Sequence, residues 1–256
     1  MLCKIKFELK TDSALSFNMS SLFQGVLMEE IAKQGYSNYI DELHISSLHD
    51  YTQHLEHDFS KDQWYWVINT ISEKAYDIIY VKTLSKLKEF ELKKHNIKVI
   101  ITNSEIRTLS KQELFDCFKA NINIDKIRID FLTPTAFKSD GNYIFIPELP
   151  LIFKSLINKY DAAFSQETIT DQDTFEQICT NSKVSSYKLK STLFHLEGVK
   201  IPAFEGNLYI KCNRNQTLTN FLYMLFRFGE FCGVGIKTGI GMGAIKCTVF
   251  ESQKLR

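Results

Sequence analysis

The sequence predicts an α+β fold made of two ferredoxin-like βαββαβ domains in tandem, residues 1–123 and 124–256. Three observations predict it. Strand-like and helix-like stretches run β, α, β, α, β through the first half of the chain. Much the same order returns in the second half, without a sequence repeat. Finally, residues 229–243 hold six of the eleven glycines between a helical pattern and a last strand-like run.

Each element has its own warrant. Leu2 to Lys10 alternates as a half-buried strand does. Ser20 and Ser21 can cap a helix to about Gln34, with Leu22, Phe23, Val26, Leu27 and Ile31 as its apolar stripe. Residues 39–59 read as irregular and hold four of the six histidines, His44, His49, His54 and His57. Gln63 to Ile71 reads as a strand, Glu73 to about Leu87 as one helix and Ile97 to Ile106 as a closing strand or strand pair. Leu109 to Asn123 is expected to hold a short helix and a connection. In the second domain Asp125 to Thr133 alternates, and Asp140-Gly141-Asn142 suits a turn. Glu148 to Phe164 reads as a helix, and the acidic stretch to about Asn181 as an exposed connection. Two long strand patterns follow, Ser185 to His195 and Ala203 to Cys212. Leu218, Phe221, Leu222, Leu225 and Phe226 keep helical spacing before the glycines, and Ala244 to Phe250 closes the chain's second sheet.

Composition bounds the function. A hydrophobic fraction of 44% suits a soluble globule. No apolar run approaches the roughly 20 residues of a membrane span, so no membrane partner is expected. Met1 to Lys6 alternates like a strand and lacks a signal-peptide core. Six scattered cysteines without metal-ligand spacing predict reduced thiols and a cytoplasmic protein. The net charge is only +1, but it is unevenly placed. Residues 183–256 carry eleven Lys and Arg against four Glu and no Asp, a net of +7. Residues 139–182 carry two Lys against seven acids, a net of −5. The positive charge thus gathers around the glycine-rich stretch and predicts a phosphate-rich partner.

Glycines with exposed amides form anion-binding concavities, and Lys237 and Thr238 add a charge and a hydroxyl. Gly233, Gly235, Gly239, Gly241 and Gly243 are therefore candidate phosphate contacts. A P-loop or dinucleotide fingerprint is excluded, because both need a strand before the glycines and a helix after them. Here the order is helix, loop, strand.

The stretch resembles the C-terminal glycine-rich loop of the CRISPR-associated repeat-processing endoribonucleases. Three further segments agree in order: Ser21 to Leu27, Asp130 to Phe137, and Tyr187 to Thr192 with Val199 to Gly206. The last pair looks most like members found beside type III-A systems. The resemblance implies tandem ferredoxin-like (RRM-like) domains and cleavage of repeats in precursor CRISPR RNA. It implies attack by the 2′-hydroxyl, leaving a 2′,3′-cyclic phosphate and a 5′-hydroxyl, with no metal and no cofactor. It also implies transient contact with a type III effector complex; monomer and homodimer both remain open. The alternative is a non-catalytic module that binds and delivers repeat RNA. A small-molecule enzyme that holds a phosphate on the glycines is a more distant one.

Tyr39 to His44 resembles the family segment that ends in Leu-His, which makes His44 the first candidate for the catalytic histidine and His49 the second. An imidazole titrating near neutrality suits proton transfer at either oxygen. Many relatives also carry a tyrosine where Met28 stands here and a lysine soon after the histidine. Here the next lysine is Lys61, and the interval holds His49, Asp50 and Tyr51. His54, His57 and His95 read as surface histidines, since no zinc pattern completes their spacing. Lys188 and Lys190 share one strand face, and with Lys200 they are candidate RNA contacts.

Overall fold

The computed structural model describes residues 1–46, 48–120, 122–164, 171–196, 198–212 and 215–251. It forms two compact units, Met1–Leu109 with Lys237–Gly241, and Ser110–Ile236 with Met242–Arg256. Each is a ferredoxin-like sheet, and the tandem α+β fold is the one the element order predicts.

In the first unit the chain runs β1 (Leu2–Lys10), α1 (Ser20–Lys33), α2 (Ser37–Ile45), β2 (Tyr51–Asp58) and β3 (Gln63–Thr70). It continues through α3 (Glu73–Ala75), a π-helical segment Tyr76–Thr83, β4 (Glu89–Leu92) and β5 (Ile97–Leu109). The strands order as β2-β3-β1-β5-β4, all antiparallel. Helical spacing places Phe23, Leu27 and Ile31 of α1 on one face, and all three are fully buried. They pack against Ile5, Phe7 and Trp66 of the sheet; Phe23 meets Trp66 edge-on at 5.3 Å between ring centroids.

The second unit runs α4 (Lys111–Lys119), β6 (Ile124–Thr135), β7 (Phe137–Ser139), β8 (Asn142–Ile144), α5 (Leu149–Ala163) and α6 (Gln172–Asn181). β9 (Ser182–Leu196), β10 (Val199–Cys212), α7 (Gln216–Cys232) and β11 (Ile245–Glu251) complete it. Its sheet orders as β11-β6-β10-β9. Ile127, Ile129 and Phe131 of β6, Leu208 and Ile210 of β10 and Ile245 of β11 bury the side that α7 covers. Asp140 and Gly141, at φ 50° and 82°, make the tight turn of the β7–β8 hairpin.

Several local expectations are corrected. Residues 39–59 are not irregular: they hold α2 and β2. Polar residues on both faces of β2 hide its alternation, because buried hydrogen bonds satisfy them. Gln53 donates to the Ser20 carbonyl at 2.9 Å and accepts from the Trp66 indole at 3.0 Å, and Asn69 donates to Thr52 at 2.9 Å. His54 and His57 are consequently strand residues rather than loop residues. His54 is buried with Nε2 3.1 Å from Glu56, and His57 lies 3.1 Å from Asp62 with its ring against Trp64. The single helix expected over residues 73–87 breaks into α3, the π-helical segment and a 3-10 turn. Short β4 was not expected at all. The acidic stretch is helical over α6, where Asp171 caps by accepting from the Thr174 amide at 2.8 Å. The rest of that stretch, 165–170, lies outside the described residues.

Candidate active site

In the first unit, Asp50 fixes the turn into β2. Its carboxylate accepts from the Tyr39 hydroxyl at 2.6 Å and the Ser72 hydroxyl at 2.7 Å, and its carbonyl accepts from the Ile71 amide at 2.9 Å. Burial and the Asp50 charge both push the Tyr39 phenol far up, so it stays a donor. This anchor presents the half-buried His49 beside Tyr51, with ring centroids 5.7 Å apart and planes 12° from parallel. Tyr51 is itself buried, which pushes its phenol up to about 12, and Gln24 of α1 hydrogen-bonds it.

Residues 237–241 belong to this unit and pack on that pair. Thr238–Ile240 form a 3-10 turn entered through Lys237 in the left-handed region, φ 56°. A Cβ added at Gly239 would lie 2.8 Å from His49 Nδ1 and 3.2 Å from Tyr51 Oη. One at Gly241, φ +114°, would lie 2.3 Å from the Ser20 Cβ. Glycine is required at both positions because the loop backbone itself is the surface against which the imidazole and α1 rest. The amides of Lys237, Thr238, Gly239 and Gly241 donate to no group among the described residues. Thr238, Gly239 and Gly241 are buried, and buried amides without a partner are rare. Such donors suit an anion's oxygen.

The neighbouring glycines, in the second unit, spend their amides internally. Gly233 donates to the Gly229 carbonyl at 2.8 Å, Gly235 to Ser155 Oγ at 2.8 Å and Gly243 to the Pro134 carbonyl at 3.0 Å. Lys159 of α5 holds the same segment from beneath. Its ammonium donates to the carbonyls of Cys232 and Gly233 at 3.1 Å and of Gly235 at 3.2 Å. These carbonyls lie at and beyond the C-terminus of α7, where the helix dipole favours a cation. Burial lowers the Lys159 pKa to about 8.

Lys159 and Ser155 are site residues that sequence reasoning missed. The signal was there: a lysine three residues after Leu156 sits on the apolar stripe of an otherwise amphipathic helix. Its titration makes a prediction. Between pH 8 and 10.5 the unfolded chain holds a proton that folded Lys159 releases, so this group makes unfolding free energy rise with pH. Its contribution is greatest above lysine's ordinary pKa and is lost as pH falls through about 8. Lys159→Met should remove a slope approaching ~1.4 kcal/mol per pH unit. Urea denaturation of both proteins across this window checks it; parallel pH dependences would refute the assignment.

The remaining candidates are exposed. His44 is exposed on the last turn of α2. Lys188 and Lys190 are exposed on β9, Lys190 paired with Glu205 at 2.8 Å, and Lys200 is exposed on β10 opposite His195. Among the described residues no three of His, Cys, Asp or Glu gather as a metal-ligand group, and no helix is long and apolar enough to cross a membrane.

Known proteins resemble this chain in sequence and in fold. The profile described as CRISPR-associated endoribonuclease Cas6 matches residues 129–245. The Streptococcus thermophilus protein of that name is 32% identical over 243 residues, covering 95% of this chain and 97% of that one. The Mycobacterium tuberculosis protein of that name is 30% identical over 223 residues, 87% of this chain and 69% of its own. Among solved structures, a Cas6 product complex superposes with a TM-score of 0.76 at 17% identity, over 97% of this chain and all of that one. Thermus thermophilus Cas6 gives 0.71 at 17% identity, over 97% of this chain and 98% of that one. Near-complete coverage at this identity, with the same fold throughout, means that the chain belongs to the CRISPR-associated endoribonuclease Cas6 family.

Proposed function

We propose that this chain cuts repeat sequences in precursor CRISPR RNA by metal-independent transesterification, with His49 as the histidine of the reaction. The observation that carries the reading is His49 Nδ1 lying against Gly239, beside amides that have no partner among the described residues. The 2′-oxygen attacks the adjacent phosphorus, and the P–O5′ bond breaks. One proton leaves the 2′-hydroxyl and one reaches the departing 5′-oxygen, giving a 2′,3′-cyclic phosphate and a 5′-hydroxyl. His49 serves one of these transfers as general acid or base. The amides of Lys237, Thr238, Gly239 and Gly241 donate to the phosphate oxygens as charge builds on them, which requires no metal. Gln24 and Tyr51 hold the ring's platform. His44, exposed on α2, is the second candidate, and its variant is the control. Lys188, Lys190 and Lys200 serve as phosphate contacts on the second unit. Gly233, Gly235 and Gly243 shape the loop rather than bind, since their amides are already committed.

The test is incubation with a repeat-containing transcript in excess EDTA, followed by end analysis. Cyclic-phosphate and 5′-hydroxyl ends at the uninhibited rate are expected. Activity lost on chelation and restored by a divalent ion would overturn the mechanism. Tight binding without any cut would leave the delivery role instead.

A further inference from the structure

Among the described residues, part of one edge of the first unit's sheet has no partner strand. β5 lies between β1 and β4, but β4 pairs only with Ile97 to Ile100. Beyond them the edge of β5 is open to Leu109, and residues 102–108 are all exposed. The Ser104 amide donates to the Asn103 side chain at 2.8 Å, so it points away from β1. The register with β1 is unbroken from Asn103 to Leu109, and strand amides alternate between the two sides. The amides and carbonyls of Ser104, Ile106 and Thr108 therefore face the open edge. Ile106 stands opposite Ile5, on the side of the sheet that α1 covers, and is 41% exposed. Glu105 and Arg107 lie on the other side, their side chains 63% and 79% exposed.

We infer that this edge binds a second copy of the chain, β5 against β5, antiparallel about a two-fold axis at Ile106. A strand edge with unpaired amides and carbonyls is a template for another strand. Symmetry limits the register. Hydrogen-bonded and non-hydrogen-bonded positions alternate, so the axis must pass where a residue opposes its own copy. An axis at Glu105 or at Arg107 sets like charges directly opposite each other, which is unfavourable. One at Ser104 runs Arg107 onto Ile101, whose amide already donates to the Lys88 carbonyl at 2.8 Å. One at Thr108 runs Ile106 onto Ser110, beyond the end of the strand. The axis at Ile106 instead sets Glu105 opposite Arg107 of the second copy, twice, and closes Ile106 on its own copy. Ile106 then exchanges both backbone hydrogen bonds with its copy, and Ser104 does so with Thr108 of the second copy. Charge complementarity thus selects a second copy over an arbitrary strand. The pairing does not rest on the RNA reading and uses neither His49 nor the glycine loop.

Sedimentation equilibrium of the RNA-free protein over a concentration series tests the interface. The wild-type chain should approach twice the monomer mass. Glu105→Arg should raise the dimer dissociation constant roughly tenfold or more, because two attractive cross-strand pairs become repulsive. Arg107→Glu should do the same. An equimolar mixture of these two variants should dimerise again, since every opposed pair then has opposite signs. Ile106→Pro removes an amide that faces the open edge and spares the bonds to β1, so it should be monomeric with a wild-type circular dichroism spectrum. If Ile106→Pro does not fold, the charge-reversal mixture still decides. A wild-type chain that stays monomeric throughout, a mixture no more dimeric than its separate components, or dimers that persist in both charge-reversal variants would each overturn the interface.

Discussion

His49→Ala is expected to slow single-turnover cleavage of a repeat transcript by roughly 10² to 10⁴, the usual contribution of a general acid or base. Repeat affinity should change little, because one ring is lost from a broad phosphate-binding surface. The ring lies where a Cβ on Gly239 would touch it, next to amides without partners among the described residues. His44→Ala, on the exposed end of α2, should cleave close to the wild-type rate. The pH–rate profile gives an independent reading: whatever limb depends on the histidine should disappear in His49→Ala. A dead His44→Ala beside an active His49→Ala would move the chemistry to α2. His54→Ala is a different experiment, since His54 is buried against Glu56 and its removal should lower stability rather than chemistry.

The fold was legible because its largest signals are periodic. The stripe of α1 and the alternation of β6 survive in the sequence, since each element buries one face only. The failures have a common cause. β2 reads as polar on both faces because Gln53, Thr52 and His54 find partners inside the fold, and pairing of that kind leaves no mark on local pattern. The site was half legible for the same reason. Glycines marked the loop, but which amides stay uncommitted depends on Ser155, Pro134 and Gly229, which satisfy the others. Family position ranked His44 first; the turn built by Tyr39, Asp50 and Ser72 is what carries His49 to the loop. Lys159 was visible as an anomaly on an apolar stripe, but its three carbonyl partners are remote in sequence.

Gly239→Ala should cost nearly as much rate as losing the histidine, roughly 10²-fold, while leaving the imidazole chemically intact. The added methyl would stand 2.8 Å from His49 Nδ1, closer than carbon and nitrogen tolerate. Tyr51 Oη at 3.2 Å blocks the other escape, and the Tyr51 ring is buried and hydrogen-bonded to Gln24. The contact is with a side-chain atom of the half-buried His49, so that ring must swing away from the loop. Moving a proton-transfer group by about 1 Å can cost two orders of magnitude without altering its pKa. The pH profile of Gly239→Ala should therefore keep the wild-type shape at a lower plateau, unlike that of His49→Ala. Thermal stability should change less than for a backbone clash, because a side chain rather than backbone yields. Gly241→Ala makes the contrast. Its methyl meets Ser20 Cβ at 2.3 Å in a left-handed conformation, so backbone must yield and the melting temperature should fall. A Gly239→Ala protein that cuts at the wild-type rate would show that His49 reaches the scissile phosphate by some route other than this loop.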